Sequence, residues 1–357
     1  MKQIKQSFLY AILAIALFAT SCSKDEAINL FKGQFSKGIF VMNEGTEASL
    51  GDITFYDTDS SKVKNAIFNA VNGSPIGKWP QSFSIYNGVG YIMGGASEKV
   101  EVVDAATFKR IATIDALKNP RYFQAVSPVK AYISDWASNT LGILDIASNK
   151  ITGNIKLDGA GPEVMLKKGN YVYVALVGGF GRENKVAVID INTNKVITTI
   201  KVGDAPLGLQ EGADGNVWVL CRGYFKTKSE IETVGSLGTI NAANEYTEVK
   251  KFDIGSHPDR LTVSGDKKFF YFIGGYGETI YKYDVISKTQ TEFLKDSKMY
   301  FYGLNYDKKN NLIFACESKS DEKWNPLPSK IHCYDLTGKE KYSFDAGYYA
   351  SSVIFTE

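Results

Sequence analysis

The chain of 357 residues contains five arginines, and four of them, Arg121, Arg182, Arg222 and Arg260, stand in segments crowded with aromatic side chains. The clusters are Arg121-Tyr122-Phe123, Phe180-Gly181-Arg182, Arg222-Gly223-Tyr224-Phe225 and His257 with Arg260. Trp79, Trp136, Tyr276, Tyr300, Tyr302, Trp324, Tyr348 and Tyr349 fall in comparable segments, and every basic residue outside the arginines is a lysine. A guanidinium is planar, donates several hydrogen bonds at once and stacks on rings. It therefore suits a fixed anionic or amide-bearing ligand better than an ammonium does. The candidate binding set is Trp79, Arg121, Tyr122, Trp136, Phe180, Arg182, Arg222, Tyr224, Phe225, His257, Arg260, Tyr276, Tyr302, Trp324 and Tyr349.

Catalytic chemistry has fewer candidates. His257 and His332 are the only histidines, the residue type whose ordinary titration lies near neutrality. Neither a G-x-S-x-G nor an H-E-x-x-H pattern occurs. Glu44, Glu163, Asp204, Asp259 and Glu317 could form an inward ring of carboxylates of the kind that holds a metal in lactonases. Each reads more simply as a loop acid with a local partner. A lactonase or related hydrolase is the lesser alternative, and no catalytic residue, metal ligand or required cofactor is assigned.

A repeat supplies the elements that must position these groups. Its clearest copy is the apolar run Lys185 to Asp190, a polar turn at Ile191 to Asn194, and a returning run from Lys195 to Ile200. Similar hairpins end their first strand at Asp57, Asp104, Asp145, Asn241, Asp284 and Asp335, spaced 41 to 51 residues apart. A strand pair precedes most of them, as at Gln81 to Ile85 with Tyr91 to Met93. Four strands in about 46 residues is one propeller blade, and seven units fill residues 37–357. The first unit starts at Gly38 without an inner strand, and the last leaves Ser351 to Phe355 unpaired. An all-β, seven-bladed propeller closed by the C-terminal strand in the first blade follows. Such closure removes exposed sheet edges. An outer-membrane barrel fits less well, because runs such as Tyr171 to Leu176 are continuously apolar instead of alternating.

In such a ring, the loops leading into each blade share one face with the loops joining its second and third strands. All of the arginine and aromatic clusters fall on that face, and the opposite face carries generic turns such as Asn87-Gly88. The competing reading is structural: rings pack the channel and arginines cap neighbouring loops. For Tyr122, Phe123 and Tyr302 both readings are open. For Trp136, Phe180, Arg182, Tyr224, Phe225 and Trp324, binding is favoured, because long loops on a rigid scaffold concentrate recognition.

The formal charge is +2 with no basic run, which gives no footprint for nucleic acid. Cys22, Cys221, Cys316 and Cys333 include no CxxC pair, so neither a metal knuckle nor a disulfide framework is indicated. At the start, Lys2 and Lys5 precede an uncharged stretch from Phe8 to Phe18 and the small residues Ala19-Thr20-Ser21. This is a signal peptide, too short to span a bilayer, which needs about 20 apolar residues. The expected organisation is a signal peptide over 1–21, a lipidated flexible tether over 22–36 and the propeller over 37–357.

Ala19-Thr20-Ser21-Cys22 resembles the lipobox of bacterial lipoproteins, although Ala19 replaces the usual leucine. Ser23-Lys24-Asp25-Glu26 resembles the acidic signal that sends Bacteroidota lipoproteins to the outer face of the outer membrane. The Asp190 unit, with Thr193, Lys195-Val196 and Val202-Gly203, resembles the YncE or YVTN-type propeller repeat. A narrower resemblance rests on Val41 to Gly45, Gly51 to Tyr56, Gln81-Ser82, Pro120 to Phe123 and Val217 to Gly223. These segments are similar to Bacteroidota surface propeller lipoproteins, including the BtuG type, which capture cobalamin for a TonB-dependent, BtuB-like transporter.

The resemblance implies acylation at Cys22, a lipid-anchored place at the cell surface, a corrinoid ligand and a transporter partner. Cobalt ligation by His257 is conceivable within it, with hydrogen bonding as the simpler role. Haem, a siderophore, a glycan or a protein partner stay open, because the ligand does not transfer with the scaffold.

Overall fold

The computed structural model describes residues 33–356. The expected signal peptide, the lipidation site Cys22 and the tether up to residue 32 lie outside them. Within the described residues the chain forms seven four-stranded antiparallel sheets. Blades 2 to 7 each take four consecutive strands: β4–β7, β8–β11, β12–β15, β16–β19, β20–β23 and β24–β27, from Ser82 to Asp345. Blade 1 is composite, with β28 (Ala350–Phe355) innermost beside β1 (Gly38–Gly45), β2 (Leu50–Asp57) and β3 (Lys62–Lys64). Ile39 faces Phe355 and Val41 faces Val353 across the closing pair. Thr356 Oγ1 accepts from the Gly38 N–H at 3.0 Å and donates to the Gly38 carbonyl at 2.9 Å.

The repeat owes its terminal acid to turn chemistry. After β14 (Lys185–Asp190), the Asp190 carboxylate accepts from the N–H groups of Asn192 at 2.7 Å and Thr193 at 3.1 Å. Asn194 then takes a left-handed φ of 54°, which asparagine tolerates. Asp145, Asp284 and Asp335 cap their turns in the same way. The Ser148 hydroxyl and N–H hold the Asp145 carboxyl below the usual carboxylate range.

Apolar runs such as Val186 to Ile189 are buried on both faces, between neighbouring blades. Between blades 1 and 2 the filling is aromatic, with the Phe40 and Phe55 rings 5.0 Å apart. Phe35 belongs to this cluster: it is 2% exposed, sits edge-on to Phe55 at 5.1 Å, and its N–H donates to the Ala106 carbonyl at 3.0 Å. The packed body thus reaches back to Phe35, two residues into the expected tether, because Phe35 buries a ring and satisfies its backbone together.

Helix α1 (Ile67–Asn72) lies between β3 and β4 (Ser82–Tyr86). The Asp52 carboxylate of β2 accepts from the Phe68 and Asn69 N–H groups at 2.9 and 3.0 Å, filling donors that a helix start leaves open. No helix among the described residues is long and apolar enough to cross a membrane.

Candidate functional site

The innermost strands of blades 3 to 7 share one irregularity. Each shifts register near its start: between Pro120 and Phe123, Pro162 and Met165, Pro206 and Gly208, Asp259 and Thr262, and Phe301 and Gly303. A bulge of this kind re-aims a side chain that regular pairing would place elsewhere. The residues next to the first paired position are Arg121, Glu163, Leu207, Arg260 and Tyr302, and all five line one cavity at the channel mouth. Its volume is about 640 Å³.

Charges in this cavity are interleaved. Arg121 Nη2 donates to Glu163 Oε1 at 2.7 Å, and Arg222 Nη1 lies 3.6 Å from Asp259 Oδ2. The Tyr302 hydroxyl donates to Glu44 Oε2 at 2.8 Å, and Arg260 Nε donates to the Tyr302 carbonyl at 2.9 Å. Burial pushes the Glu44 carboxyl above its ordinary range, against the opposing pull of Arg260 and the Tyr302 hydroxyl. Burial also pushes the Tyr122 phenol up to about 12, so it stays a neutral hydrogen-bonding group.

Each of the four arginines on this face lies over an aromatic ring: Arg121 over Trp136 at 5.2 Å, Arg182 over Tyr224 at 4.6 Å, Arg222 over Phe225 at 5.6 Å and Arg260 over Tyr302 at 5.1 Å. The arginines and rings grouped by sequence are therefore largely each other's partners. Such stacking fixes guanidinium planes and leaves their edges to donate.

The fold brings Arg121, Tyr122, Arg222, Phe225, His257, Arg260, Tyr276 and Tyr302 to the cavity wall. Trp79, Trp136, Phe180, Arg182, Tyr224, Trp324 and Tyr349 do not line it. Arg182 pairs with Glu230 and donates through Nη2 to the Ile231 carbonyl at 2.8 Å, while the Tyr224 hydroxyl donates to the Glu183 carbonyl at 2.8 Å. These two residues staple the loop of blade 5 to that of blade 4. Trp136 backs the cavity from behind Arg121 and packs against Phe180, ring centroids 4.8 Å apart. Phe180 and Trp324 project outward, 95% and 85% exposed. Trp79 is tied through its carbonyl to Gln81 Nε2 at 2.8 Å, and Tyr349 packs on Tyr302.

His257 is a packed, hydrogen-bonded side chain. Its Nδ1 is 3.1 Å from the Arg222 carbonyl, its Nε2 is 2.9 Å from Glu232 Oε1, and Phe225 lies against the ring at 3.9 Å. Ligation of cobalt through either nitrogen would require breaking one of these contacts.

The five candidate carboxylates divide: Glu44, Glu163 and Asp259 line the cavity, whereas Asp204 and Glu317 do not. Asp204 accepts from Asn184 at 3.3 Å, and Glu317 faces His332 Nε2 at 3.1 Å. Among the described residues no group of three or more His, Cys, Asp or Glu side chains is arranged to hold a metal ion. Sequence reasoning missed Leu207, Gln81, Gln210 and Asn305 as lining residues. Aligning the units on Pro120, Pro162 and Pro206 would have placed Arg121, Glu163 and Leu207 in register one position later.

Comparison with known proteins supports the architecture. Residues 37–356 match the family described as "Domain of unknown function (DUF5074)". No curated protein matches the sequence. Among solved structures, a quinonprotein alcohol dehydrogenase-like protein from Bacteroides thetaiotaomicron is similar with a TM-score of 0.66 at 16% identity, covering 90% of this chain and 79% of that one. The hydrazine synthase of Kuenenia stuttgartiensis is similar with a TM-score of 0.59 at 13% identity over 79% of this chain and 93% of that one. The Cps50 (Swd1) β-propeller domain of Myceliophteria thermophila gives a TM-score of 0.57 at 12% identity over 75% and 87%. At these identities the likeness is one of fold.

Proposed function

The chain belongs to the DUF5074 family, whose description leaves function open, and from that premise we propose that it is a capture protein for cobalamin or a related corrinoid. In this reading its bulge-lined face takes the ligand and passes it to a TonB-dependent transporter, and acylated Cys22 holds the protein at the outer membrane. The observation that carries the reading is the cavity of about 640 Å³, walled by aromatic rings and paired guanidinium and carboxylate groups. Small-molecule sites of about 300–1,000 Å³ with few convergent polar groups are the common pattern.

A corrin ring is broad and apolar on its faces and edged with amides. Amides donate and accept, so an edge of alternating Arg121, Glu163, Arg222 and Asp259 matches them better than a surface of one sign would. A corrinoid exceeds the cavity in size, so it would rest on the mouth with one edge inserted, against the exposed rings of Tyr276, Tyr300 and Phe225. Haem, a siderophore or a glycan would use the same face.

A second reading, a protein-binding scaffold, is favoured by the side chains outside the cavity. Phe180, Trp324 and Ile231 are 95%, 85% and 78% exposed, and a partner that covered this face would bury them. In the capture reading they form the contact with the transporter.

Titration calorimetry of residues 22–357 with cyanocobalamin tests the proposal. Saturable one-to-one binding at micromolar concentration or tighter is expected. No heat, together with no red co-migration on gel filtration, overturns the corrinoid reading.

A further inference from the structure

We infer that Arg260 is the point at which this site holds a single oxyanion group of its ligand, a phosphodiester or a carboxylate. The inference rests on the capture reading above and adds to it which part of the ligand enters the channel. Four of the five arginines are matched by carboxylates: Arg110 by Glu101, Arg121 by Glu163, Arg182 by Glu230 and Arg222 by Asp259. Arg260 forms no ion pair among the described residues, although its side chain lines the cavity.

Its nitrogen atoms are unevenly engaged. Nε donates to the Tyr302 carbonyl at 2.9 Å, which fixes the plane of the group over the Tyr302 ring. Nη1 and Nη2 donate to no protein group among the described residues. Two guanidinium nitrogens without a protein partner, on an arginine that lines a cavity, suit bidentate contact with one oxyanion.

The backbone is also committed to this placement. Arg260 has a left-handed φ of 58° at the bulge of its strand, a conformation that is strained for a non-glycine residue. The two nearby acids act on Arg260 without a direct ion pair to its guanidinium: Asp259 accepts the Arg260 backbone N–H at 2.7 Å and lies beside Arg222, and Glu44 accepts the Tyr302 hydroxyl.

The test compares wild type with Arg260→Gln and Arg260→Lys against three probes. These are cyanocobalamin, which carries one phosphodiester, dicyanocobinamide, the same corrin without the phosphodiester and the nucleoside attached to it, and haemin, which carries two carboxylates. Arg260→Gln should lose roughly 10- to 100-fold of cyanocobalamin affinity, as removal of a charge-assisted hydrogen-bonding group does. It should bind dicyanocobinamide as wild type does, and Arg260→Lys should fall between. The ratio of the two affinities within one variant cancels any loss of folded protein. If haemin binds and the corrinoids do not, a loss of haemin affinity in Arg260→Gln keeps the inference with a carboxylate as the anion, and only the corrinoid reading fails. Equal loss for both corrinoids, or no loss for any probe that wild type binds, overturns the inference. Wild type binding none of the three removes both.

Discussion

Arg121 Nη2 lies 2.7 Å from Glu163 Oε1 and joins the innermost strands of blades 3 and 4 at the channel mouth. The two side chains are 19% and 5% exposed, so neither charge is well hydrated. Glu163→Gln should therefore destabilise the protein by about 3 kcal/mol, because a buried guanidinium is left without its counter-charge. Arg121→Met with Glu163→Leu should recover most of that loss. Urea midpoints of the three proteins check this, and a neutral Glu163→Gln would show the pair to be hydrated in solution.

Glu44 gives the protein a pH dependence of definite sign. Its folded-state pKa is raised above 4.5 by burial, so the native protein binds this proton more readily than the unfolded chain. The associated stability is complete below about pH 4.5 and is lost as pH rises through the raised value. Asp52 is shifted from 3.8 in the same direction. Glu44→Gln should flatten part of the decline in unfolding free energy as pH rises above about 4.5. Parallel curves for variant and wild type would count against it.

Phe35→Ala should cost about 3 kcal/mol by opening a hole among Phe40, Phe55 and Phe108. Phe180→Ala removes a ring of equal size that is almost wholly in solvent, and its effect should stay within about 0.5 kcal/mol. Thermal melting of the two variants side by side distinguishes a folded N-terminal arm from a free one.

Ending the chain at Tyr349 should open the ring. The deletion strips β28 from blade 1 and leaves β1 with an unpaired apolar edge. Loss of a cooperative unfolding transition and self-association on gel filtration are expected. A monomer that melts as wild type does would mean that closure contributes little.

The blades were legible because their signal is local. Asp190, Asp145 and Asp284 each mark a turn through contacts two or three residues away, and the continuous apolar strands between them have nowhere to go but between sheets. The site was legible only by residue type. Arg182 and Tyr224 have the composition of a ligand clamp, but the complementarity that would suit a ligand is satisfied between the two side chains themselves. Leu207 lines the cavity through a register shift, which is a property of strand pairing and leaves no mark on hydropathy. Phe35 sits among Gly33, Gln34 and Ser36 and reads as linker, because two of its ring partners, Phe55 and Phe108, lie 20 and 73 residues further along the chain.

The pairing of β1 with β28 also sets an order of events. Its hydrogen bonds join Gly38 to Thr356 across a separation of 318 residues, so blade 1 stays incomplete until almost the whole chain has been delivered. An emerging polypeptide can assemble blades 2 to 7 as they appear, each from contiguous strands, while β1 waits as a sticky edge. The earliest residues of the domain are then among the last to be secured. Until β28 arrives, the inner edge of β1 is open to pairing with other chains.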